Sequence, residues 1–110
     1  MSQSTRLGLP YLAAAQAQKH VTVNESLLRL DAVVQLSARS ATTSTQPASP
    51  SDGDIYLLPS GKTGAAWSAL ADGAIAYYRD GVWEELTPNI GWRCYVEDEF
   101  ALYARNTTAW

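Results

Sequence analysis

Residues 73–87 read GAIAYYRDGVWEELT, and this stretch decides the fold of the second half of the chain. Alternation places Ile75, Tyr77 and Arg79 on one face of a strand, as expected for a strand with one buried side. Asp80-Gly81 follows, a dipeptide typical of the two-residue hairpin turn, because both positions of that turn require positive φ. The segment VWEELT then returns along the first strand. The stretch therefore predicts a β-hairpin.

The same alternation of short strands and turns extends over residues 54–110. DIYLLP predicts a strand ended by proline, and WRCYVED predicts one with Trp92, Cys94 and Val96 on one face. FALYAR returns, and the last eight residues, YARNTTAW, repeat the aromatic–turn–Trp order of YYRDGVW. We expect a small antiparallel β meander, and since a sheet that stops at Trp110 leaves an open edge, we expect the polypeptide to continue.

One long helix is predicted over residues 22–38, TVNESLLRLDAVVQLSA. Thr22 and Glu25 have the spacing of a capping box, which marks a helix start. Residues 1–21 precede the helix and are predicted to form an N-terminal arm, while residues 39–53 form a connector rich in Ser, Thr and Pro. The fold class expected from these parts is α+β.

The predicted helix carries two apolar rows on nearly opposite sides. The Val23 row has the 4-3-4 spacing of a coiled-coil seam and consists of Val23, Leu27, Leu30 and Val34. The Leu28 row consists of Leu28, Ala32 and Leu36. We interpret the Val23 row as one buried stripe. The β region of the same chain can cover one row only, so we expect the other to meet a second copy or a docking partner. The alternative is that the connector and arm fold back over it.

Composition excludes several classes of function. The chain has 110 residues, the size of one domain, with 46% hydrophobic and 17% charged residues and a net charge of −3. No cluster of Lys and Arg could neutralise a row of phosphates, so nucleic acid is not an expected partner. No stretch approaches the roughly 20 apolar residues that span a bilayer, and the start does not resemble a signal peptide. We expect a soluble protein made in a cytoplasm, with no membrane insertion.

The residues that carry chemistry are isolated from one another. Cys94 is the single cysteine and His20 the single histidine, so neither a disulfide nor a Cys/His metal site is predicted. The acidic run at residues 97–99 is typical of a solvated turn. The GKT at residues 61–63 fails as a phosphate loop, because Tyr56 stands where its first glycine is needed. We expect no catalytic residue, no cofactor and no metal, and therefore no enzyme.

Several stretches together resemble a known family. They are LPYLAAAQAQKHVTVNESLLRLDAVVQL, ASPSDGDIYLLP, TPNIGWRCYVEDEFALY and the terminal TAW. In this order they resemble alphaproteobacterial prophage and gene-transfer-agent proteins with a domain of unknown function, which include tail-fibre proteins. The sequence departs from that pattern at its final turn, where Asn106-Thr107-Thr108 stands in place of Asp-Gly-Thr.

The resemblance implies a structural protein of a phage-like particle. A tail fibre is commonly a homotrimer whose N-terminal domain docks onto a tail baseplate protein, while its distal part attaches to the host surface. By this resemblance the helix would lie at the symmetric core or the docking surface, and the protein would be assembled into the tail of the particle.

A carbohydrate-binding β module is the main rival interpretation. The chain has four Trp and six Tyr residues, and Trp67, Trp83 and Trp110 are candidate glycan contacts. An exposed, coplanar arrangement of these rings would favour sugar stacking, whereas burial would favour a structural role in holding the hairpins. A third interpretation is an assembly factor that is absent from the finished particle.

Overall fold

The computed structural model describes residues 3–11 and 19–110, which form an α+β fold as predicted. The elements are helix α1 (Lys19–Val33), strands β1 (Ser37–Ala38), β2 (Ile55–Leu57), β3 (Ile75–Arg79), β4 (Val82–Leu86), β5 (Arg93–Val96) and β6 (Ala101–Ala104), and a 3-10 turn (Trp67–Ala69). The chain divides into two compact units, Met1–Gln35 and Leu36–Trp110. The first unit contains the helix and the second contains every strand.

The hairpin predicted from residues 73–87 is confirmed. Strands β3 and β4 pair antiparallel, with Tyr78 opposite Trp83 at the turn. Asp80 and Gly81 have φ values of 51° and 81°, so both turn residues are left-handed, as the tight hairpin turn requires. Ile75, Tyr77 and Arg79 are all buried, but Ala76 on the opposite face is buried as well, so β3 is covered on both sides rather than on one.

The β unit contains two three-stranded sheets rather than one meander. The first sheet has the order β2-β3-β4 and is antiparallel throughout. The second has the order β1-β5-β6, in which β1 runs parallel to β5 and pairs Ser37 with Tyr95. Cys94 and Val96 of β5 are fully buried, as their alternation predicted. The single meander is therefore wrong in one respect: the second sheet recruits a strand from residues that were predicted to end the helix.

Helix α1 ends at Val33 and not at residue 38. Gln35 adopts φ 55°, and a left-handed residue just after a helix terminates its hydrogen-bond ladder. The next residues then gain strand partners, since the amide of Tyr95 donates to the carbonyl of Leu36 over 3.0 Å. Pairing with β5 thus replaces the helical turn that local sequence alone favoured.

The helix begins at Lys19, three residues before the predicted start. Thr22 therefore lies inside the first turns, and the Thr22–Glu25 pair does not mark the helix start. Each residue added to a formed helix gains a backbone hydrogen bond, which favours extension past a weak start signal. Of the predicted arm, residues 12–18 lie outside the described part of the chain, and residues 3–11 form a loop closed by a bridge between Gln3 and Pro10.

A buried carboxylate joins the N-terminal loop to the helix. Asp31 is fully buried and accepts from the Ser4 hydroxyl over 2.6 Å and from the Arg6 amide over 3.0 Å. The amide of Leu7 also donates to this carboxylate. Several donors around one carboxylate offset the cost of removing its charge from water.

The side chain of Arg6 caps the C-terminal end of the same helix, where Asp31 also lies. Its guanidinium donates to the carbonyl oxygens of Asp31, Ala32 and Gln35, the closest at 2.9 Å on Ala32. The last carbonyls of a helix have no partners within the helix and carry partial negative charge. Arg6 therefore satisfies them with a positive charge.

We expect Asp31→Ala to destabilise the helical unit by on the order of 3 kcal/mol, because one buried and two partly buried donors lose their acceptor together. Thermal unfolding followed by the helical circular dichroism signal measures this. The matched control is Glu25→Ala, which removes an exposed acid from the same helix and should change stability little. Equal effects of the two variants would contradict the role given to Asp31.

We expect Gly81→Val to lower the free energy of unfolding by about 2 kcal/mol, since a β-branched residue is strained at this positive φ. An added Cβ at Gly81 meets no atom within 4 Å, so the cost comes from the backbone alone. Urea unfolding provides the measurement. Gly81→Asn is the control and should lose much less, because Asn tolerates the left-handed region; equal losses would argue against a conformational origin.

Candidate functional site

Three aromatic rings, those of Tyr56, Trp67 and Trp83, pack against one another at the first sheet. Trp67 is fully buried, and its ring meets Tyr56 at a centroid distance of 5.2 Å and Trp83 at 5.3 Å. The interplanar angles are 61° and 74°, so the rings pack edge to face, an arrangement that adds favourable energy beyond burial. Burial also raises the pKa of Tyr56. The cluster joins β2, the 3-10 turn and β4.

This packing removes one of the three candidate glycan contacts. A fully buried Trp67 cannot present its face to a sugar, and its steep angle to Trp83 is not that of a stacking platform. Trp67 is therefore a core residue rather than a glycan contact. Trp83 and Trp110 are partly exposed. Trp67 and Trp83 therefore have a structural role, because their packing holds the sheet together.

The connector is held against the cluster by one glutamine. The Gln46 side-chain oxygen accepts from the amides of Ala66 and Trp67 over 2.8 and 2.9 Å. The backbone amide of Gln46 donates to the carbonyl of Thr63 over 3.0 Å. The Ser/Thr/Pro-rich segment thus has fixed partners where it passes the core.

An open groove lies between this connector and the β3–β4 hairpin. Its volume is about 440 Å³, and its walls include Pro47, Pro50, Tyr78, Val82 and Trp83. The Tyr78 and Trp83 rings are 5.0 Å apart and tilted by 58°. The lining is mostly apolar, so the groove can hold apolar or proline-rich groups but offers little to orient a polar substrate.

A second recess, called here the Arg105 cleft, lies where β6 and the final turn meet the segment before β3. Its volume is about 360 Å³, and its walls include Ser60, Asp72, Gly73, Tyr103, Arg105, Thr108 and Trp110. The indole N–H of Trp110 donates to the carbonyl of Gly73 over 2.9 Å, which fixes the ring. Lys62 pairs with Asp72 at the rim. Among the recesses described, this one combines charged, hydroxyl and aromatic groups. Sequence reasoning found Trp110 but missed Arg105.

The two apolar rows of the helical segment differ in burial: the Leu28 row is largely buried, and the Val23 row is largely exposed. In the Leu28 row, Leu28 is half-buried while Ala32 and Leu36 are buried. In the Val23 row, Leu27 is half-buried, but Val23, Leu30 and Val34 are 39%, 46% and 40% exposed. The expectation that the Val23 row is the buried stripe is wrong for the single chain. Asp31 accounts for part of this, because it lies beside Ala32 and is held inward by its donors.

A further exposed apolar surface lies on the β5–β6 hairpin. Tyr95 and Leu102 are cross-strand neighbours, and both are exposed. Phe100 at the tip is 83% exposed and adopts φ 53°. Sequence reasoning placed Cys94 and Val96 inside correctly but did not follow the alternation outward, which would have identified Tyr95 as exposed.

Within the described residues, no group of three His, Cys, Asp or Glu side chains could hold a metal ion. Cys94 is buried, and its thiol donates to the carbonyl oxygen of Tyr95 over 3.5 Å. In the described part of the chain, none of the helices has the length and apolarity needed to cross a membrane. Lys62, the lysine of the GKT stretch, forms a salt bridge with Asp72.

We expect the pKa of Tyr103 to fall toward its ordinary value of about 10 in Glu99→Gln. In the wild-type chain the Tyr103 hydroxyl donates to the Glu99 carboxylate over 2.5 Å, and this bond raises the pKa of Tyr103. The bond is intact below the ordinary tyrosine pKa and is lost as pH rises through the raised one. Near-ultraviolet titration of tyrosinate, assigned with Tyr103→Phe, measures the shift. Glu84→Gln, an exposed acid on β4, should leave it unchanged; an unchanged pKa in Glu99→Gln would contradict the assignment.

Comparison with known proteins gives one family. Neither a curated protein nor a solved structure matches the chain. A family model described as protein of unknown function (DUF2793) matches residues 23–110, which include most of α1 and all six strands. The match covers well over half of the chain. This protein is therefore a member of the DUF2793 family.

Proposed function

We propose that this chain is a structural, non-catalytic component of a phage-like particle, namely the N-terminal domain of a tail fibre that anchors the fibre to a baseplate protein. The resemblance to prophage and gene-transfer-agent proteins supports the role. The observation that carries the proposal is the exposed Val23 row, because a fibre subunit needs a surface through which identical copies associate.

The Val23 row has the features of an interface between helices. Val23 and Leu30 are seven residues apart, which corresponds to about 10 Å along α1. Val34 follows the helix end, with its amide still donating to the carbonyl of Leu30 over 3.0 Å. Leu30 lies between the two valines and is nearly half exposed. The 4-3-4 spacing keeps these side chains on one seam, as in helices that pack against one another. Apolar side chains exposed in a contiguous row are stabilised when a partner covers them.

A homotrimer is the assembly that the family resemblance implies. Three copies would place three such rows around one axis, where each row meets its two neighbours. Tyr95, Phe100 and Leu102 form a second exposed apolar surface, on the β unit. That surface suits the baseplate contact, while attachment to a host surface belongs to the distal part of the fibre.

The platform version of a carbohydrate-binding module has less support. It required Trp67, Trp83 and Trp110 to be exposed and coplanar, and Trp67 is buried. An assembly factor differs from a fibre component in one testable respect. Antibody detection of this chain in purified particles would favour the fibre role, and its absence from them would favour the assembly factor.

We expect light scattering at micromolar concentration to give about three times the 11.9 kDa mass of the chain. The double variant Val23→Ser/Leu30→Ser should reduce this to the monomer mass and keep its circular dichroism spectrum, because both side chains are exposed in the single chain. Leu102→Ser is the matched control, since it also removes an exposed apolar side chain, but on the β unit.

A monomeric wild-type chain would overturn self-association through the helix. Loss of assembly in Leu102→Ser together with its persistence in the double variant would place the interface on the β5–β6 hairpin instead. A dimer that the double variant breaks would keep the interface and correct the copy number.

A further inference from the structure

We propose that the Arg105 cleft binds the carboxylate of an acidic saccharide unit, a ring-sized polyol that carries one carboxylate. This inference concerns the β unit alone and does not depend on self-association of the helix. It also differs from the three-tryptophan platform, because its central group is a cation.

The first argument is the electrostatic state of Arg105. Its Nη1 atom is buried, and within the described residues no acceptor bonds to it. A guanidinium stays charged at every ordinary pH, and a buried donor without a partner costs about 1–3 kcal/mol or more when charged. Such a group is accounted for by a bound water, a bound ion or a functional role. Arg105 as a whole is half-buried and lines the cleft, so its guanidinium charge can attract an anionic oxygen bound there.

The second argument is that Arg105 is held in position by its backbone. Its amide donates to the carbonyl of Trp92 over 2.9 Å, and its carbonyl accepts from the amide of Gly91 over 2.8 Å. These bonds extend the β5–β6 ladder by one step. The backbone of Arg105 is therefore fixed at a strand end, which favours a defined position for the base of its side chain.

The third argument is the role of Gly73 in the wall. A Cβ built at this glycine would lie 2.5 Å from Nη1 of Arg105, so a larger residue here would push the guanidinium aside. The carbonyl of the same residue accepts from the indole of Trp110. Gly73 thus contacts both Arg105 and Trp110 at the wall of the cleft.

The charge around the cleft favours a carboxylate over a phosphate. Arg105 is a single cation without a paired acid in the described residues, whereas Lys62 is already paired with Asp72. Asp72 also lines the cleft, and the chain has a net charge of −3. The negative charge near the cleft would repel a phosphate dianion, which carries two charges, more strongly than a carboxylate, which carries one.

The remaining lining fits the body of a sugar. Trp110 and Tyr103 supply apolar ring surface for the C–H face of a pyranose. Ser60 and Thr108 supply hydroxyls, and Asp72 can accept from sugar hydroxyl groups. The volume of about 360 Å³ lies near the lower end of the roughly 300–1,000 Å³ of ligand pockets, which suits one ring rather than a long chain.

The test is a titration of the whole chain with glucuronate, glucose and inorganic phosphate, followed by nuclear magnetic resonance of the indole N–H groups. We expect glucuronate to shift the resonance of Trp110, assigned with Trp110→Phe, and to leave that of the buried Trp67 in place. Glucose and phosphate should each bind at least about tenfold more weakly, since each lacks one of the two matched features.

Variants test the cation directly. Arg105→Gln should weaken glucuronate binding by about tenfold or more, and Arg105→Lys should weaken it less, because Lys keeps the charge but loses the planar pair of donors. Arg93→Gln, which removes an exposed arginine from β5, should bind as the wild-type chain does. The Val23→Ser/Leu30→Ser variant should also bind normally, which separates this proposal from the assembly.

Three results would overturn the proposal. They are the absence of a Trp110 shift with glucuronate in the wild-type chain, phosphate binding tighter than glucuronate, and equal glucuronate binding by Arg105→Gln and the wild type. The first result needs no substitution at Arg105, so it decides the matter even where such a substitution prevents folding.

Discussion

The β unit depends on the packing of Trp67 between Tyr56 and Trp83. The three rings bring together β2, the 3-10 turn and β4, which are separated along the chain by loops of very different composition. Full burial of a tryptophan side chain removes a large apolar surface from water, worth several kcal/mol in a chain of this size. Because Gln46 bonds to the backbone at Trp67, the connector too is placed by this contact. The walls of the adjacent groove follow from it.

The helical unit is organised by charge rather than by apolar burial. The amide of Arg6 donates to the Asp31 carboxylate, and the Arg6 guanidinium donates to the carbonyls of Asp31 and Ala32 at the end of α1. These polar contacts hold the N-terminal loop to the helix. A buried acid of this kind directs one side of a helix inward. The consequence for function is that the coiled-coil-like Val23 row remains exposed and can meet another copy.

The surfaces proposed to act lie on different parts of the molecule. The Val23 row would hold copies together, and the Arg105 cleft would bind an acidic sugar on the β unit. Each uses a group that the fold of the single chain leaves uncompensated, an exposed apolar row in one case and an unpaired guanidinium donor in the other.

The sequence alone determined the features that depend on neighbouring residues. Asp80-Gly81 specified the β3–β4 turn, because only residues that tolerate positive φ form it, and alternation placed Ile75, Tyr77, Cys94 and Val96 inside. Tertiary structure decided the helix end, the second sheet and the exposed row. Ser37–Ala38 pair with a strand more than fifty residues away, and Asp31 is buried by donors from residues 4–7. The Arg105 cleft likewise needs Gly73 and Trp110 together. Such contacts between distant positions leave no periodic signal in a single sequence.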